Sequence, residues 1–142
     1  MIYAEDLFFH LKKNKINFFS GVPDSVLKNL VNFFDKEKKI KHHIAVNEGS
    51  AVSLGIGYHL ATKKLPCIYL QNSGLGNAIN PLISIAHPKI YSIPMLLVIG
   101  WRGSPNKNDE PQHNVKGKIT TNLLKSLSIK YCILRSNYNF KK

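Results

Sequence analysis

Cysteines, acidic residues and long apolar runs are all scarce in this chain of 142 residues. The two cysteines, Cys67 and Cys132, fall in apolar segments and have no Cys or His beside them at the spacing of metal ligands. We therefore expect two small buried core residues in a reducing cytoplasm and no metal site on this chain. The longest apolar run, residues 93–99, contains a proline and is far shorter than the roughly 18 residues of a membrane span. No basic-then-apolar signal pattern is present at the start, so no membrane partner is expected.

The chain has eight acidic residues and twenty Lys and Arg residues, so its formal net charge is +12. Such a charge could serve nucleic acid, a membrane surface or an anionic substrate. The lysines are spread over many loops and helix ends, however, and no nucleic-acid motif or base-stacking aromatic spacing accompanies them. We therefore expect no nucleic-acid partner and regard most of the charge as solvated surface.

Helical and strand-like patterns alternate along the chain, and a hydrophobic fraction of 44% supplies a core for one domain over residues 1–142. Helices are predicted over residues 4–14, 25–35, 48–62, 74–87 and 118–127. Strands are predicted over residues 17–20, 42–46, 65–70, 94–99 and 131–134, with a long polar loop over 101–117. This alternation predicts an α/β fold, a doubly wound, mostly parallel sheet with helices on both faces.

Polar, glycine-rich segments follow four of the predicted strands. They are residues 21–25, 47–49, 71–77 and 101–103, and the last of them opens the loop that carries residues 109–113. Because ligands bind at the carboxyl ends of the strands in such sheets, we predict a binding site at this edge.

Glu48 stands where an apolar strand runs into a helix rich in Gly, Ala and Ser. A carboxylate between buried elements is partly desolvated, which raises its pKa and lets it share or donate a proton near neutral pH. The alternative is helix capping, with Asn47 as N-cap and Glu48 favoured by the helix dipole. This segment alone supports the two interpretations equally.

The segment Ser73-Gly74-Leu75-Gly76-Asn77 resembles a glycine-rich phosphate cradle at the start of a helix. It matches neither the dinucleotide fingerprint nor the phosphate loop that ends in Lys-Ser/Thr. A tight strand-to-helix turn, in which the glycines permit close packing, is an equally supported interpretation.

The remaining candidates also have structural alternatives. Gln112 and His113 lie in the predicted polar loop, where they could transfer protons or be solvated. Arg102 could present its donors to a carboxylate or phosphonate, or be a surface arginine. Asp24 and Ser25 could cap the second helix or point into the cleft.

Taken together, five motifs resemble the phosphonopyruvate decarboxylase family of thiamine diphosphate enzymes, and in particular its amino-terminal pyrimidine-binding domain. The motifs are Gly21-Val22-Pro23-Asp24-Ser25, Asn47-Glu48-Gly49, Gln71-Asn72-Ser73-Gly74-Leu75-Gly76-Asn77, Gly100-Trp101-Arg102-Gly103 and Asp109-Glu110-Pro111-Gln112-His113. The resemblance extends from about residue 4 to residue 134. The alpha subunit of sulfopyruvate decarboxylase is a related alternative.

The resemblance implies that Glu48 bonds the N1′ ring nitrogen of thiamine diphosphate and acts as a proton relay. It implies that Gln112 and His113 handle protons around the product. The residues expected to line the cofactor are Glu48, Asn72, Ser73, Gly74, Gly76 and Asn77. The implied reaction converts the 2-keto acid 3-phosphonopyruvate to phosphonoacetaldehyde and CO2.

Asp24 and Ser25 would face the substrate by the same resemblance, and a contact from Arg102 to the phosphonate is our own addition. The family holds the diphosphate through Mg²⁺ with a Gly-Asp-Gly motif, and the sequence contains no Gly-Asp-Gly. We therefore expect a diphosphate-binding partner domain or subunit that carries the Mg²⁺, within a homo- or hetero-oligomer. A free-standing nucleotide-binding module that uses the glycine-rich turn is the alternative from a different class.

Overall fold

Four parallel strands form the sheet that organises the chain, and helices cover both of its faces. In the computed structural model, which describes residues 4–135, the strands lie in the order β2-β1-β3-β4. The strands are β1 (Phe18–Gly21), β2 (Lys41–Ile44), β3 (Cys67–Gln71) and β4 (Leu96–Gly100). The helices are α1 (Ala4–Lys13), α2 (Lys28–Lys36), α3 (Glu48–Thr62), α4 (Leu75–Pro81) and α5 (Pro111–Ser126). The predicted doubly wound α/β class is confirmed.

Two apolar cores, one on each face, hold the helices on the sheet. Ile68 and Leu70 of β3 join the core beneath α3, α4 and α5. Cys67 and Tyr69 point the other way and join the core beneath α1 and α2, as the alternation of side chains along a strand requires. All four side chains are fully buried. A central strand covered on both faces explains the uninterrupted apolar sequence of β3.

The bounds of α3 agree with the predicted 48–62 because its start has a clear capping signal. The side chain of Asn47 accepts a hydrogen bond from the backbone N–H of Ser50 at 2.8 Å, which satisfies a donor that the helix leaves unpaired. Lys63, in the left-handed conformation with φ 59°, ends the helix. Within residues 4–135, no helix has both the length and the apolar character needed to cross a membrane.

The start of α5 was predicted wrongly. The structure begins this helix at Pro111, so the second half of the predicted loop 101–117 is helical, and Gln112 and His113 lie in a first helical turn. Proline suits the first position of a helix because its missing N–H would be unpaired there in any case. Gly117, the last residue of the predicted loop, lies buried inside the helix. The predicted helix 74–87 is also divided, since a 3-10 turn (Asn72–Gly74) precedes α4 and a π turn (Leu82–Ala86) follows Pro81.

The predicted strand over residues 131–134 is wrong, because residues 131–135 belong to no helix or strand. After α5, Ser128 takes a left-handed conformation with φ 56°, and the N–H of Ile129 donates back to the carbonyl of Leu124 at 2.9 Å. The apolar run over residues 131–134 therefore does not join the sheet. Cys132 is exposed, contrary to the prediction of a core residue, whereas Cys67 is buried as predicted.

Candidate active site

The carboxyl ends of the four strands bring the predicted polar segments to one edge of the sheet. Residues 21–25 follow β1, residues 45–48 follow β2, residues 71–74 follow β3 and residues 100–103 follow β4. Because β1 and β3 are the central neighbours, the loops after them lie at the middle of this edge. Side chains from segments far apart in the sequence are thereby placed within hydrogen-bond distance of one another.

Glu48 opens α3, and its carboxylate reaches across to the start of α4. The side chain is half-buried, and its Oε2 accepts a hydrogen bond from Asn77 Nδ2 at 2.8 Å. The carboxylate lies directly on Gly74, where any Cβ would overlap the Glu48 carboxyl group. Glycine at position 74 therefore makes room for the acid. Asn47 supplies the side-chain cap of α3, and Glu48 lies in the first turn of that helix, as the capping interpretation predicts.

The two oxygens of the Glu48 carboxylate differ in their surroundings. Among residues 4–135, Asn77 is the donor to Oε2, and no hydrogen bond reaches Oε1. An acceptor with an unused oxygen at the edge of a sheet can take a donor from a ligand. Gly76, by contrast, is exposed, and a Cβ at that position would meet no atom within 4 Å.

Asn72 ties three elements together. Its Nδ2 donates to the carbonyl of Arg102 at 3.0 Å and to the hydroxyl of Thr120 at 2.9 Å, and its Oδ1 accepts from the backbone N–H of Arg102 at 3.1 Å. The residue is 5% exposed. A buried amide engaged at both ends fixes the end of β3 against the end of β4 and against α5.

Asp24 is the buried acid of the loop after β1, with 8% of its surface exposed. Its Oδ1 accepts from Gln71 Nε2 at 2.9 Å, from the backbone N–H of Val26 at 3.1 Å and from the hydroxyl of Ser25 at 3.4 Å. Its Oδ2 is buried and has no hydrogen-bond partner among the described residues. The contact with Gln71 could not be predicted from local sequence, because 47 residues separate the two positions.

Arg102 is paired with an acid, Asp109. Its guanidinium donates from Nε to Asp109 Oδ2 at 2.8 Å and from a second nitrogen to Asp109 Oδ1 at 2.5 Å, while the third nitrogen reaches the Ser25 hydroxyl at 3.3 Å. The hydrogen bonds from Arg102, aided by the backbone N–H groups of Gly103 and Glu110, hold the pKa of Asp109 well below its ordinary value. The same pair raises the pKa of Arg102. Sequence reasoning missed Asp109, although an acid seven residues after an arginine in one loop was a possible signal.

Gln112 and His113 lie beside Glu110 in the first turn of α5. Gln112 Nε2 donates to Glu110 Oε2 at 2.6 Å, and His113 Nε2 lies 3.5 Å from the same oxygen. The other ring nitrogen of His113, Nδ1, is buried and has no partner among residues 4–135. A buried imidazole nitrogen that lacks a partner is poised to bond a group supplied from outside the chain.

The hydrogen-bonded groups of this edge form a continuous set. Glu48 rests on Gly74, and the adjacent Ser73 donates its hydroxyl proton to Gln71 Oε1. Gln71 in turn bonds Asp24. Residues 71–74 therefore contact both the acid that opens α3 and the acid that follows β1.

A family model described as the N-terminal TPP binding domain of thiamine pyrophosphate enzymes matches residues 1–125. The chain belongs to this family. As a TPP-binding domain it is 37% identical over 134 residues to phosphonopyruvate decarboxylase of Streptomyces viridochromogenes, covering 94% of this chain and 33% of that protein. It is 30% identical over 128 residues to sulfopyruvate decarboxylase subunit alpha of Methanococcus maripaludis, covering 90% of this chain and 74% of that subunit.

Solved structures show the same fold as this TPP-binding domain. Benzoylformate decarboxylase from Polynucleobacter necessarius superposes with a TM-score of 0.60 at 22% identity, covering 72% of this chain and 19% of that one. The TPP-binding domain spans about a third of the length of the phosphonopyruvate decarboxylase that it matches.

An open groove lies beside Glu48 on the surface of the TPP-binding domain. It has a volume of about 1040 Å³ and runs between the end of β2 and the outer face of α3. Its walls include Val46, which is 92% exposed, and Leu54, which is 46% exposed. Asn77, whose side chain bonds Glu48, also lines the groove. Apolar side chains so exposed next to a polar site are typical of a surface that another protein covers.

The Arg102–Asp109 pair makes the stability of the TPP-binding domain depend on pH. Because the folded pKa of Asp109 is lowered, its contribution to stability is complete above the unfolded pKa of about 3.9 and is lost as pH falls through the folded value. We therefore expect Asp109→Asn to lower Tm at about pH 7 and to have a progressively smaller effect below about pH 4. Thermal unfolding followed by circular dichroism across this range measures the difference.

The matched control for Asp109 is Asp6→Asn, since Asp6 is an exposed acid in the first turn of α1. A Tm difference between Asp109→Asn and the unmodified chain that stays constant from about pH 7 to about pH 3 would show that the ion pair contributes nothing to folding.

Proposed function

We propose that this chain is the pyrimidine-binding half of a thiamine diphosphate-dependent 2-keto acid decarboxylase, with 3-phosphonopyruvate as substrate and phosphonoacetaldehyde and CO2 as products. The observation that carries the proposal is the carboxylate of Glu48, half-buried on Gly74 at the carboxyl edge of the sheet, with no hydrogen bond to Oε1 from residues 4–135. Membership of the TPP-binding family and the phosphonopyruvate decarboxylases among the relatives support it.

The residues at this edge fit the aminopyrimidine end of thiamine diphosphate. When bound, the cofactor supplies the electron sink that lets a 2-keto acid lose CO2. Glu48 Oε1 offers an acceptor for a protonated ring nitrogen, and Asn77 holds the other oxygen so that the carboxylate keeps its direction. Gly74 and Ser73 form the floor of the site, and Gly76 stays on its open rim. Asn72 supports this floor from below by joining β3, β4 and α5.

Gln112 and His113 are assigned to handle protons around the product, and Asp24 and Ser25 to contact the substrate. Two atoms support these roles, His113 Nδ1 and Asp24 Oδ2. Each is a buried polar atom that has no hydrogen-bond partner among residues 4–135. For Arg102 we propose that the phosphonate meets the nitrogen that faces Ser25, since Asp109 occupies the other two.

A diphosphate-binding partner domain completes the proposed enzyme and carries the Mg²⁺. The exposed groove with Val46 and Leu54 supports a partner at the side of the site next to Glu48. The relatives named subunit alpha support an arrangement in separate chains, and the assembly is then a hetero-oligomer. We place the enzyme in the cytoplasm, where the buried free thiol of Cys67 stays reduced.

Sulfopyruvate is the second candidate substrate, and the alpha subunits of sulfopyruvate decarboxylase favour it. The two acids share the 2-keto carboxylate and differ in the anionic group at the far end. The chemistry at Glu48 is therefore the same for both, and the choice between them lies with the groups that meet the anion.

The test pairs this chain with the part of the S. viridochromogenes phosphonopyruvate decarboxylase that follows its own matching third. We expect CO2 release from 3-phosphonopyruvate that requires both chains and added thiamine diphosphate. Sulfopyruvate, assayed in parallel, decides between the two substrates. Absence of CO2 release from either acid, together with calorimetric binding of a nucleotide to the chain alone, would favour a nucleotide-binding module instead.

A further inference from the structure

The proposed function leaves Gln71 without a role, although its side chain is the link between Ser73 and Asp24. We propose that Gln71 is a positioning residue: it holds the Asp24 carboxyl group so that Oδ2 alone faces the substrate and exchanges a proton with it. This inference rests on the proposed function, since it concerns the same site.

The two oxygens of Asp24 are made unequal by their neighbours. Oδ1 accepts three hydrogen bonds, from the Gln71 side chain, the Val26 backbone and the Ser25 hydroxyl. Oδ2 accepts none from residues 4–135 and is buried. When this carboxyl group takes up a proton, Oδ2 is the oxygen that carries it, because donors already crowd Oδ1.

The orientation of the Gln71 amide is fixed from its other end. The hydroxyl of Ser73 donates to Oε1 of Gln71, so the Nε2 end is the one that faces Asp24. A flipped amide would set Oε1 against the Asp24 carboxylate, which places two acceptors in contact. Ser73 therefore orients the Gln71 amide, and Gln71 in turn holds the Asp24 carboxylate.

Gly100 leaves the space in which Oδ2 sits. A Cβ at position 100 would overlap Asp24 Oδ2, so the end of β4 must carry a glycine for the acid to keep this position. The surroundings therefore specify Asp24 from two sides: three donors bind one oxygen, and the other lies buried against Gly100. An unpaired buried oxygen costs free energy in the isolated chain, which a donor from the substrate would recover.

The decarboxylation consumes one proton, which Oδ2 can supply. Loss of CO2 from a 2-keto carboxylate leaves the electron pair of the broken carbon–carbon bond on the carbonyl carbon, which must gain one proton to become the aldehyde. A protonated Oδ2 can give that proton, keep the O–H electron pair and become a carboxylate stabilised by its three donors. Solvent returns the proton before the next turnover.

The experiment compares Gln71→Met, which keeps the length of the side chain but removes its donor, with Gln71→Glu in the assembled two-chain enzyme. Gln71→Met is expected to lower kcat by roughly 10- to 100-fold and to change KM by less than about threefold. Gln71→Glu is expected to be as impaired near neutral pH but to regain activity as pH falls, because the introduced carboxyl, once protonated, can donate to Asp24. Gln71→Met has no group at this position that a proton can turn into a donor, so it should show no acid rescue.

Asn17→Met is the matched control, since Asn17 is an exposed amide next to the start of β1, at the opposite end of the strands from the site. Its kcat should equal that of the unmodified enzyme. A Gln71→Met enzyme with unchanged kcat, or a Gln71→Glu enzyme without acid rescue, would overturn the inference while leaving the proposed decarboxylase intact.

A second measurement does not depend on turnover. Crystal structures of this chain with and without Gln71→Met should show the Asp24 carboxyl group turned away from its present position in the variant. An Asp24 side chain that stays in place would contradict the positioning role. If the unmodified two-chain enzyme releases no CO2 from any 2-keto acid, the proposed function fails, and these structures still decide whether Gln71 positions Asp24.

Discussion

Glu48→Gln is expected to lower kcat of the assembled decarboxylase by on the order of 10²- to 10⁴-fold, the range of general acid–base catalysis. The substitution keeps the size of the side chain and its contact with Asn77, so the fold should not change. An amide cannot take up and release a proton as a carboxyl group does, so the proton relay is lost. Steady-state kinetics on 3-phosphonopyruvate, with thiamine diphosphate binding measured by calorimetry, separates this loss from a loss of cofactor.

Glu5→Gln provides the control for Glu48, since Glu5 is an exposed acid in the first turn of α1. It should leave kcat unchanged. A Glu48→Gln enzyme whose kcat stays within about threefold of the unmodified value would remove Glu48 from the proposed chemistry, whatever its effect on cofactor affinity.

Gly117→Ala is expected to destabilise the chain by about 2 kcal/mol or more, because the added methyl group cannot be accommodated. A Cβ at position 117 would overlap the backbone oxygen of Gly103. Backbone atoms cannot rotate away as a flexible side chain can, so α5 would have to move off the loop after β4. Alanine gains about 1 kcal/mol over glycine inside a helix, but overlap of this kind costs more than that gain. Urea unfolding of the isolated chain measures the difference.

Gly57→Ala is the matched control, because Gly57 lies exposed in α3 and a Cβ there would meet nothing within 4 Å. This change should stabilise the chain by up to about 1 kcal/mol through helix propensity alone. Equal stabilities for the two variants would show that α5 does not pack on Gly103 as described. The result matters for the site, since α5 carries Gln112 and His113.

The alternation of apolar patterns was enough to predict the fold class, and local signals were enough for some bounds. The start of α3 was predicted correctly because its cap is local: Asn47 accepts a hydrogen bond from the backbone of Ser50, three residues later. The start of α5 was missed because the first residues of this helix are polar and were assigned to the loop 101–117. Residues 131–134 have a strand-like pattern, but pairing depends on a neighbouring edge that local sequence does not specify.

The segments of the candidate site could be predicted from the sequence, but their mutual contacts could not. Glycine-rich turns after parallel strands indicate an edge where ligands bind. Two of these contacts are the hydrogen bond between Gln71 and Asp24 and the packing of the Glu48 carboxylate against Gly74. Both depend on strand order and on how closely the helices approach one another. Arg102 was expected to be either an anion contact or a surface arginine, and the fold brings Asp109 onto two of its nitrogens. Such pairings arise from tertiary structure and have no local signature.

A crystal structure of the two-chain enzyme with thiamine diphosphate tests the central proposal most directly. We expect the aminopyrimidine ring over Gly74, with a ring nitrogen within hydrogen-bond distance of Glu48 Oε1 while Asn77 still holds Oε2. A cofactor bound elsewhere on this chain, or a Glu48 carboxylate that faces solvent with no contact to the ring, would contradict the proposal.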